Sequence, residues 1–191
     1  MRVVLASTSP FRRSLLGKLG MPFETAAPSV DESRLAGESA PRLVERLAEA
    51  KARDVGAGYT DGLIIGSDQV ACIDDKVLGK PGNRENAIAQ LQAASGRTVR
   101  FHTGLCLLNV ASGTCQTTVE TYDVCFRKLD ADQIARYVDR EQPFNCAGSF
   151  KSEGYGITLF TALNGRDPNT LIGLPLISLV QMLESEGLAL P

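Results

Sequence analysis

Histidine, long apolar runs and any large excess of charge are scarce in this sequence. His102 is its single histidine, so a zinc site built from several imidazoles cannot form within one chain. The five cysteines, Cys72, Cys106, Cys115, Cys125 and Cys146, are odd in number, and no two are spaced as a Cys-x-x-Cys pair. That excludes the usual zinc spacings and argues against a disulfide framework, leaving buried reduced thiols as the default. No apolar run is long enough to cross a bilayer, and the N-terminal residues lack the basic, apolar and small-residue order of a signal peptide. The expected location is the cytoplasm. A formal net charge of −2 over 191 residues argues against a broad electrostatic footprint for nucleic acid. Hydrolytic chemistry here must rest on carboxylates, lysines, arginines and a hard cation held by oxygen. The length suits one domain, 1–191, with a full core.

What is present begins with Val3-Val4-Leu5-Ala6, followed by Ser7-Thr8-Ser9-Pro10 and then Phe11-Arg12-Arg13-Ser14-Leu15-Leu16-Gly17. The pattern predicts strand, polar loop, helix. Ser9 suits the N-cap and Pro10 the first helical position, and Leu15, Leu16 and Leu19 form one apolar stripe. Free backbone N–H groups, the positive end of the helix dipole, hydroxyls and the guanidinium groups of Arg12 and Arg13 gather at one point, which suits an anion such as phosphate. The competing reading is a capped surface helix with solvated arginines.

Further along, Asp31 and Glu32 lie in a polar, turn-like segment where acids are commonly just solvated. Pro41 opens a helix to about Asp54, with Leu43, Val44, Leu47 and Ala48 on its apolar stripe. Lys51 continues that stripe, and either snorkels to its edge or reaches an internal anionic site. The run Leu63 to Ile73 reads as buried strand on both sides of a polar interruption at Ser67-Asp68-Gln69. A carboxylate there is costly unless bonded, paired or bound to metal, so Asp68 marks a site or a structural aspartate satisfied by backbone N–H groups. Asp74-Asp75 reads as a turn with solvated charges. Lys80 sits in the stiff loop Gly79-Lys80-Pro81-Gly82 before a helix from Arg84 to about Ala94, capped by Asn83. Thr98 to Val110 and Cys115 to Arg127 read as an antiparallel hairpin, with His102 a packed or rim residue. Asp130 and Gln133 have capping-box spacing. The stretch Asn145 to Gly156 suits a binding loop, and a last helix starts near Pro175. The alternation implies one α/β domain with a mixed sheet.

Taken in order, Leu5 to Arg13, Val30-Asp31-Glu32, Leu47 to Ala52, Ile65-Gly66-Ser67-Asp68-Gln69, Gly79-Lys80-Pro81, Cys146 to Gly154 and Ile172 to Leu176 resemble the Maf family of nucleotide pyrophosphatases across essentially the whole chain. The resemblance implies the Maf and HAM1 (ITPase-like) fold: a mixed twisted β-sheet flanked by helices, with two lobes and a central cleft. It implies hydrolysis of a nucleoside triphosphate between the alpha and beta phosphates, giving the monophosphate and diphosphate. Phe11, Ser67-Asp68-Gln69 and the Cys146–Gly154 loop are similar to the YceF-like branch, which acts on 7-methyl-GTP. That branch often carries tryptophan where Phe11 stands. By carry-over Asp68 accepts the proton, while Phe11, Gln69 and Glu153 tune base choice. Ser9, Arg12 and Arg13 would then hold phosphate and Lys51 and Lys80 neutralise charge, with Glu32 and Asp68 holding a divalent cation, Mg²⁺ or Mn²⁺. The expected partner is a small nucleoside triphosphate, with no membrane and no stable nucleic acid; a homodimer follows from the resemblance alone. The alternatives are a hydrolase of dTTP, UTP or other modified nucleotides, or a non-catalytic nucleotide- or nucleic-acid-binding regulator of septum formation.

Overall fold

Period-two burial decides the first layers of the fold. In the computed structural model of the protein, which describes residues 1–74 and 76–190, Val3 and Leu5 point into one apolar cluster and Val4 and Ala6 into another. Successive side chains of a strand face opposite ways, so a strand buried along its whole length must be covered on both faces. The elements in chain order are β1 (Val3–Ala6), α1 (Pro10–Gly17), β2 (Glu24–Ala26), α2 (Ala40–Gly56), β3 (Leu63–Ile73), β4 (Lys76–Leu78), α3 (Arg84–Ala94), β5 (Thr98–Asn109) and β6 (Cys115–Phe126). They continue with α4 (Ala131–Glu141), β7 (Phe160–Gly165), α5 (Pro168–Ile172) and α6 (Leu176–Ser185). Short 3-10 turns cover Ala147–Ser149 and Tyr155–Leu159.

Among the described residues the strands join one mixed sheet in the order β2-β1-β3-β5-β6-β7, with β4 paired to β3. β1 runs parallel to both β2 and β3, whereas β3–β4 and β6–β7 are antiparallel. The chain leaves β1 for β2 on one side and returns to β3 on the other. The carboxyl end of β1 is therefore a switch point, the place where open α/β sheets bind ligands. The loop Ser7-Thr8-Ser9 lies there.

The chain divides into two compact units, one comprising Met1–Gln69, Thr103–Glu120 and Asp167–Pro191, the other Val70–His102 and Thr121–Arg166. In the first, Val3, Leu5, Leu63, Ile65, Leu105 and Leu107 pack with Leu15 and Leu16 of α1 and Leu176, Leu179 and Leu183 of α6. Val4, Ala6, Ile64, Cys106 and Leu108 pack with Ala48, Ala52 and Val55 of α2 on the other face. In the second, Phe150 meets Phe101, Phe126 and Phe160 edge to face, with ring centroids 5.5, 5.5 and 5.0 Å away. Such aromatic contacts add to area burial through the ring quadrupoles.

One expectation changes. Ser67-Asp68-Gln69 does not interrupt the apolar run: β3 passes through it unbroken, because the strand ladder satisfies the backbone whatever the side chains are. As expected, Asp74 turns at a φ of 44° with its side chain 81% exposed, where it also pairs with Arg97, while Asp75 lies outside the described residues. The capping box at Asp130 and Gln133 is formed reciprocally. No helix among the described residues is long and apolar enough to cross a membrane.

Candidate active site

At the start of α1, Ser9 Oγ accepts the Arg12 N–H at 3.3 Å and Ser7 Oγ accepts the Ser9 N–H at 3.1 Å. These hydroxyls shape the turn, and each keeps a proton to donate. Pro10 fills the first helical position. Phe11 is 44% exposed and Arg13 is also exposed, whereas Arg12 is half-buried and donates through Nε to the Gly173 carbonyl at 2.9 Å. Burial pulls the Arg12 guanidinium below its usual range against the attraction of Asp68 and Glu32, which places all three in one electrostatic neighbourhood.

Lys51 settles the choice left open by its stripe. It is 5% exposed, and its Nζ lies 2.7 Å from Asp68 Oδ1 and 2.5 Å from Glu32 Oε1. Its position follows from close packing of α2 on the sheet. A Cβ on Gly66 would stand 2.0 Å from the Ala48 carbonyl, and one on Gly104 would stand 2.1 Å from that of Val44. Only glycine allows so close a backbone approach.

Asp68 is buried in β3. Burial pushes its carboxyl above the ordinary aspartate range, and Lys51 and Arg12 oppose that shift. The result is a desolvated carboxylate more basic than one in water, as a proton acceptor requires. Glu32 is on an exposed loop fastened to α2 at both ends. The Ser29 N–H donates to Asp54 at 2.7 Å, and Arg46 grips Glu38 with two hydrogen bonds of 2.7 and 2.9 Å and donates to the Ser33 carbonyl at 3.1 Å.

Gln69 is committed on its donor side. Its Nε2 donates to Thr103 Oγ1 at 2.9 Å and to the carbonyls of Thr170 at 2.7 Å and Leu171 at 3.2 Å. Only Oε1 is left to meet a base. Ser67, buried, donates to the Gly173 carbonyl at 3.0 Å. The sequence points to none of Ser67, Thr103 or Gly173 as site residues. The signal for their partner was Asp167-Pro168, cap and first turn, with Gly173 as the stop, but five residues of helix leave no apolar stripe to read.

In the second unit Lys80 is exposed on a loop braced by Gln90 Nε2 to the Gly79 carbonyl, 3.1 Å, and Asn86 Nδ2 to the Pro81 carbonyl, 2.9 Å. Gln90 Oε1 also accepts Ser149 Oγ at 2.5 Å, which couples that loop to the one carrying exposed Glu153. Lys151 Nζ donates to the Glu141 carbonyl at 2.9 Å, and the Tyr155 N–H donates to Glu141 Oε2 at 3.0 Å. The Cys146 thiol is pushed up by burial, with Glu153 adding to the shift and Lys80 opposing it. Lys80 and Glu153 thus share one neighbourhood. The other predicted residues, Ser9, Phe11, Arg12, Arg13, Glu32, Lys51, Asp68 and Gln69, all belong to the first unit.

Among the described residues no cluster of three or more His, Cys, Asp or Glu side chains could hold a metal. Glu32 and Asp68 each meet Lys51 through a carboxylate oxygen. One or two carboxylates completed by water and substrate phosphate is the manner in which Mg²⁺ is usually held, so the donor set fits.

Known proteins resemble this chain along nearly its whole length. A 7-methyl-GTP pyrophosphatase of Pseudoalteromonas atlantica is 58% identical over 184 residues, 96% of this chain and 94% of that protein. One of Alcanivorax borkumensis is 59% identical over 189 residues, 99% of this chain and 96% of that protein. Among solved structures, the Staphylococcus aureus Ham1 protein superposes with a TM-score of 0.56 over 97% of this chain and 100% of its own, at 13% identity, which bears out the expected fold. The model of the Maf-like protein family matches residues 2–186, and the chain belongs to the Maf family.

Proposed function

We propose that this protein hydrolyses 7-methyl-GTP between its alpha and beta phosphates, releasing 7-methyl-GMP and diphosphate, and that it does so in the cytoplasm. The observation that carries this reading is the buried Lys51 ammonium held between Glu32 and Asp68, in the electrostatic neighbourhood of Arg12 on the capped first turn of α1. Two relatives of nearly full length bear the name of that activity.

In this reading Ser9, Arg12 and Arg13 bind phosphate at the positive end of the α1 dipole. Lys51 offsets its charge. Asp68 takes the proton of the attacking water, for which its raised basicity suits it. Glu32 and Asp68 hold Mg²⁺ or Mn²⁺, which when bound supplies further charge neutralisation and water activation. Lys51 keeps the two carboxylates fixed before substrate arrives. Methylation at N7 makes guanine cationic, so the open ring face of Phe11 gains a cation–π attraction. Gln69 contributes its remaining Oε1.

Incubation with 7-methyl-GTP, GTP, dTTP and UTP, with Mg²⁺ or Mn²⁺, tests this directly. The methylated nucleotide should be turned over fastest, and Asp68→Asn should slow diphosphate release by about 10²- to 10⁴-fold. Faster hydrolysis of dTTP or UTP would move the protein to another branch of its family. Diphosphate release by Asp68→Asn at the parent rate would remove Asp68 from the chemistry.

A further inference from the structure

At the end of the short helix α5 the Gly173 N–H reaches the Asn169 and Thr170 carbonyls, but the last carbonyls have no helical N–H to accept, as at every helix end. Here the donors come from the site. Gln69 Nε2 serves the Thr170 and Leu171 carbonyls, Thr103 Oγ1 also serves Thr170 at 3.1 Å, and the Gly173 carbonyl accepts Arg12 Nε at 2.9 Å and Ser67 Oγ at 3.0 Å. The far side of the turn is anchored as firmly. Buried Asp167 accepts the Asn169 N–H at 2.8 Å, Asn169 Nδ2 at 2.7 Å and the Ile177 N–H at 2.8 Å, and Asn169 Oδ1 accepts Lys18 Nζ from the end of α1 at 2.8 Å.

A guanidinium is a rigid plane with its donors in a fixed fork. Holding Nε–H on a carbonyl fixes that plane while both Nη groups keep their protons for an anion. The carbonyl can hold this place because Gly173 has a φ of +122°, a region that side-chain-bearing residues rarely enter. We propose that Gly173 is a positioning residue for phosphate binding: its carbonyl, steadied by Ser67, fixes the plane of Arg12 so that the two Nη groups are presented together to phosphate. This rests on the reading of Arg12 as a phosphate ligand.

The experiment is a double-mutant cycle on the full chain, read as KM and kcat for 7-methyl-GTP. In the parent, Gly173→Ala should raise KM about tenfold, the scale of one charge-assisted hydrogen bond, with kcat changing far less. Arg12→Lys lacks the planar fork, so in that background the same substitution should change KM less than about twofold. Should Gly173→Ala fail to fold, Ser67→Ala takes its place in the cycle, with an expected rise in KM of about threefold in the parent and none beside Arg12→Lys. Equal factors in both backgrounds would overturn the positioning role and leave Arg12 a phosphate ligand. A silent Arg12→Lys would overturn both.

Discussion

Lys51 is the residue on which the site turns, because its ammonium is nearly excluded from water and touches two carboxylates. A buried charge is tolerated only with partners, and removing one partner leaves the others uncompensated. Lys51→Met keeps the stem that packs on the core and deletes the charge. Asp68 then sits buried against Glu32 with no cation between them, so unfolding free energy should fall by about 3 kcal/mol. Urea denaturation would measure it, and an unchanged midpoint would show that water reaches the pair freely. Phe11 makes a different demand. Its ring is 44% exposed, more than core packing alone would leave, so Phe11→Ala should lower turnover of 7-methyl-GTP more than that of GTP while stability moves by less than about 1 kcal/mol. Equal losses on both nucleotides would remove the stacking role.

At the scale of elements, the approach of α2 to the sheet places Lys51. Gly66→Ala would drive a methyl into the Ala48 carbonyl, at 2.0 Å, forcing helix and strand apart at the turn that carries Lys51. The expected cost is about 3 kcal/mol, together with loss of activity. Gly17→Ala, whose Cβ would meet nothing within 4 Å, is the control and should not destabilise. Equal stability of the two variants would sink the close-packing explanation.

The loop carrying Glu32 has its own lock, Glu38 on Arg46, which holds the Glu38 carboxyl down at about 2 from an ordinary 4.5. A lowered carboxyl contributes order that is complete above the ordinary value and disappears as pH falls through the folded one. NMR titration of Glu38 should therefore give a midpoint near 2 in the parent and a clearly higher one in Arg46→Gln, where only the Leu35 N–H and Arg34 still hold the carboxyl down. A parent midpoint near 4.5 would mean the lock is not closed in solution.

Much of this was readable in the residues. Ser9-Pro10 set the start of α1, the stripe through Leu47 and Ala48 carried Lys51 inward, and Asp130 with Gln133 formed the expected box. Asp68 announced itself as a carboxylate among isoleucines and valines. Legibility stopped where long-range hydrogen bonds take over: α5 is too short for periodicity, and the union of Arg12, Ser67 and Gly173 spans 161 residues of chain. Gln69 illustrates the same limit, since a polar side chain beside a buried aspartate says nothing about which of its atoms is already engaged.

For the whole molecule, the topology brings these pieces together at the switch point beside β1, where α1 meets the strand that carries Asp68. The balance of charge there has a consequence for ligand binding. Arg12 and Lys51 face Glu32 and Asp68, so the cluster is close to neutral before substrate arrives. A divalent ion alone gains little, because Lys51 and Arg12 together already offset the carboxylates it would bind. A triphosphate alone brings several negative charges against Asp68 and Glu32. Each should relieve the cost of the other, since phosphate oxygens complete the coordination of the ion and the ion screens the phosphates from the carboxylates. A non-hydrolysable 7-methyl-GTP analogue with Mg²⁺, each saturating, should raise the melting temperature by roughly 5 to 10 °C, the scale expected at about a hundred times the dissociation constant for a chain of this length. Either component alone should give much less than half of that rise. If the separate shifts simply add to the joint one, ion and phosphate bind independently, and the shared site at Glu32 and Asp68 is wrong.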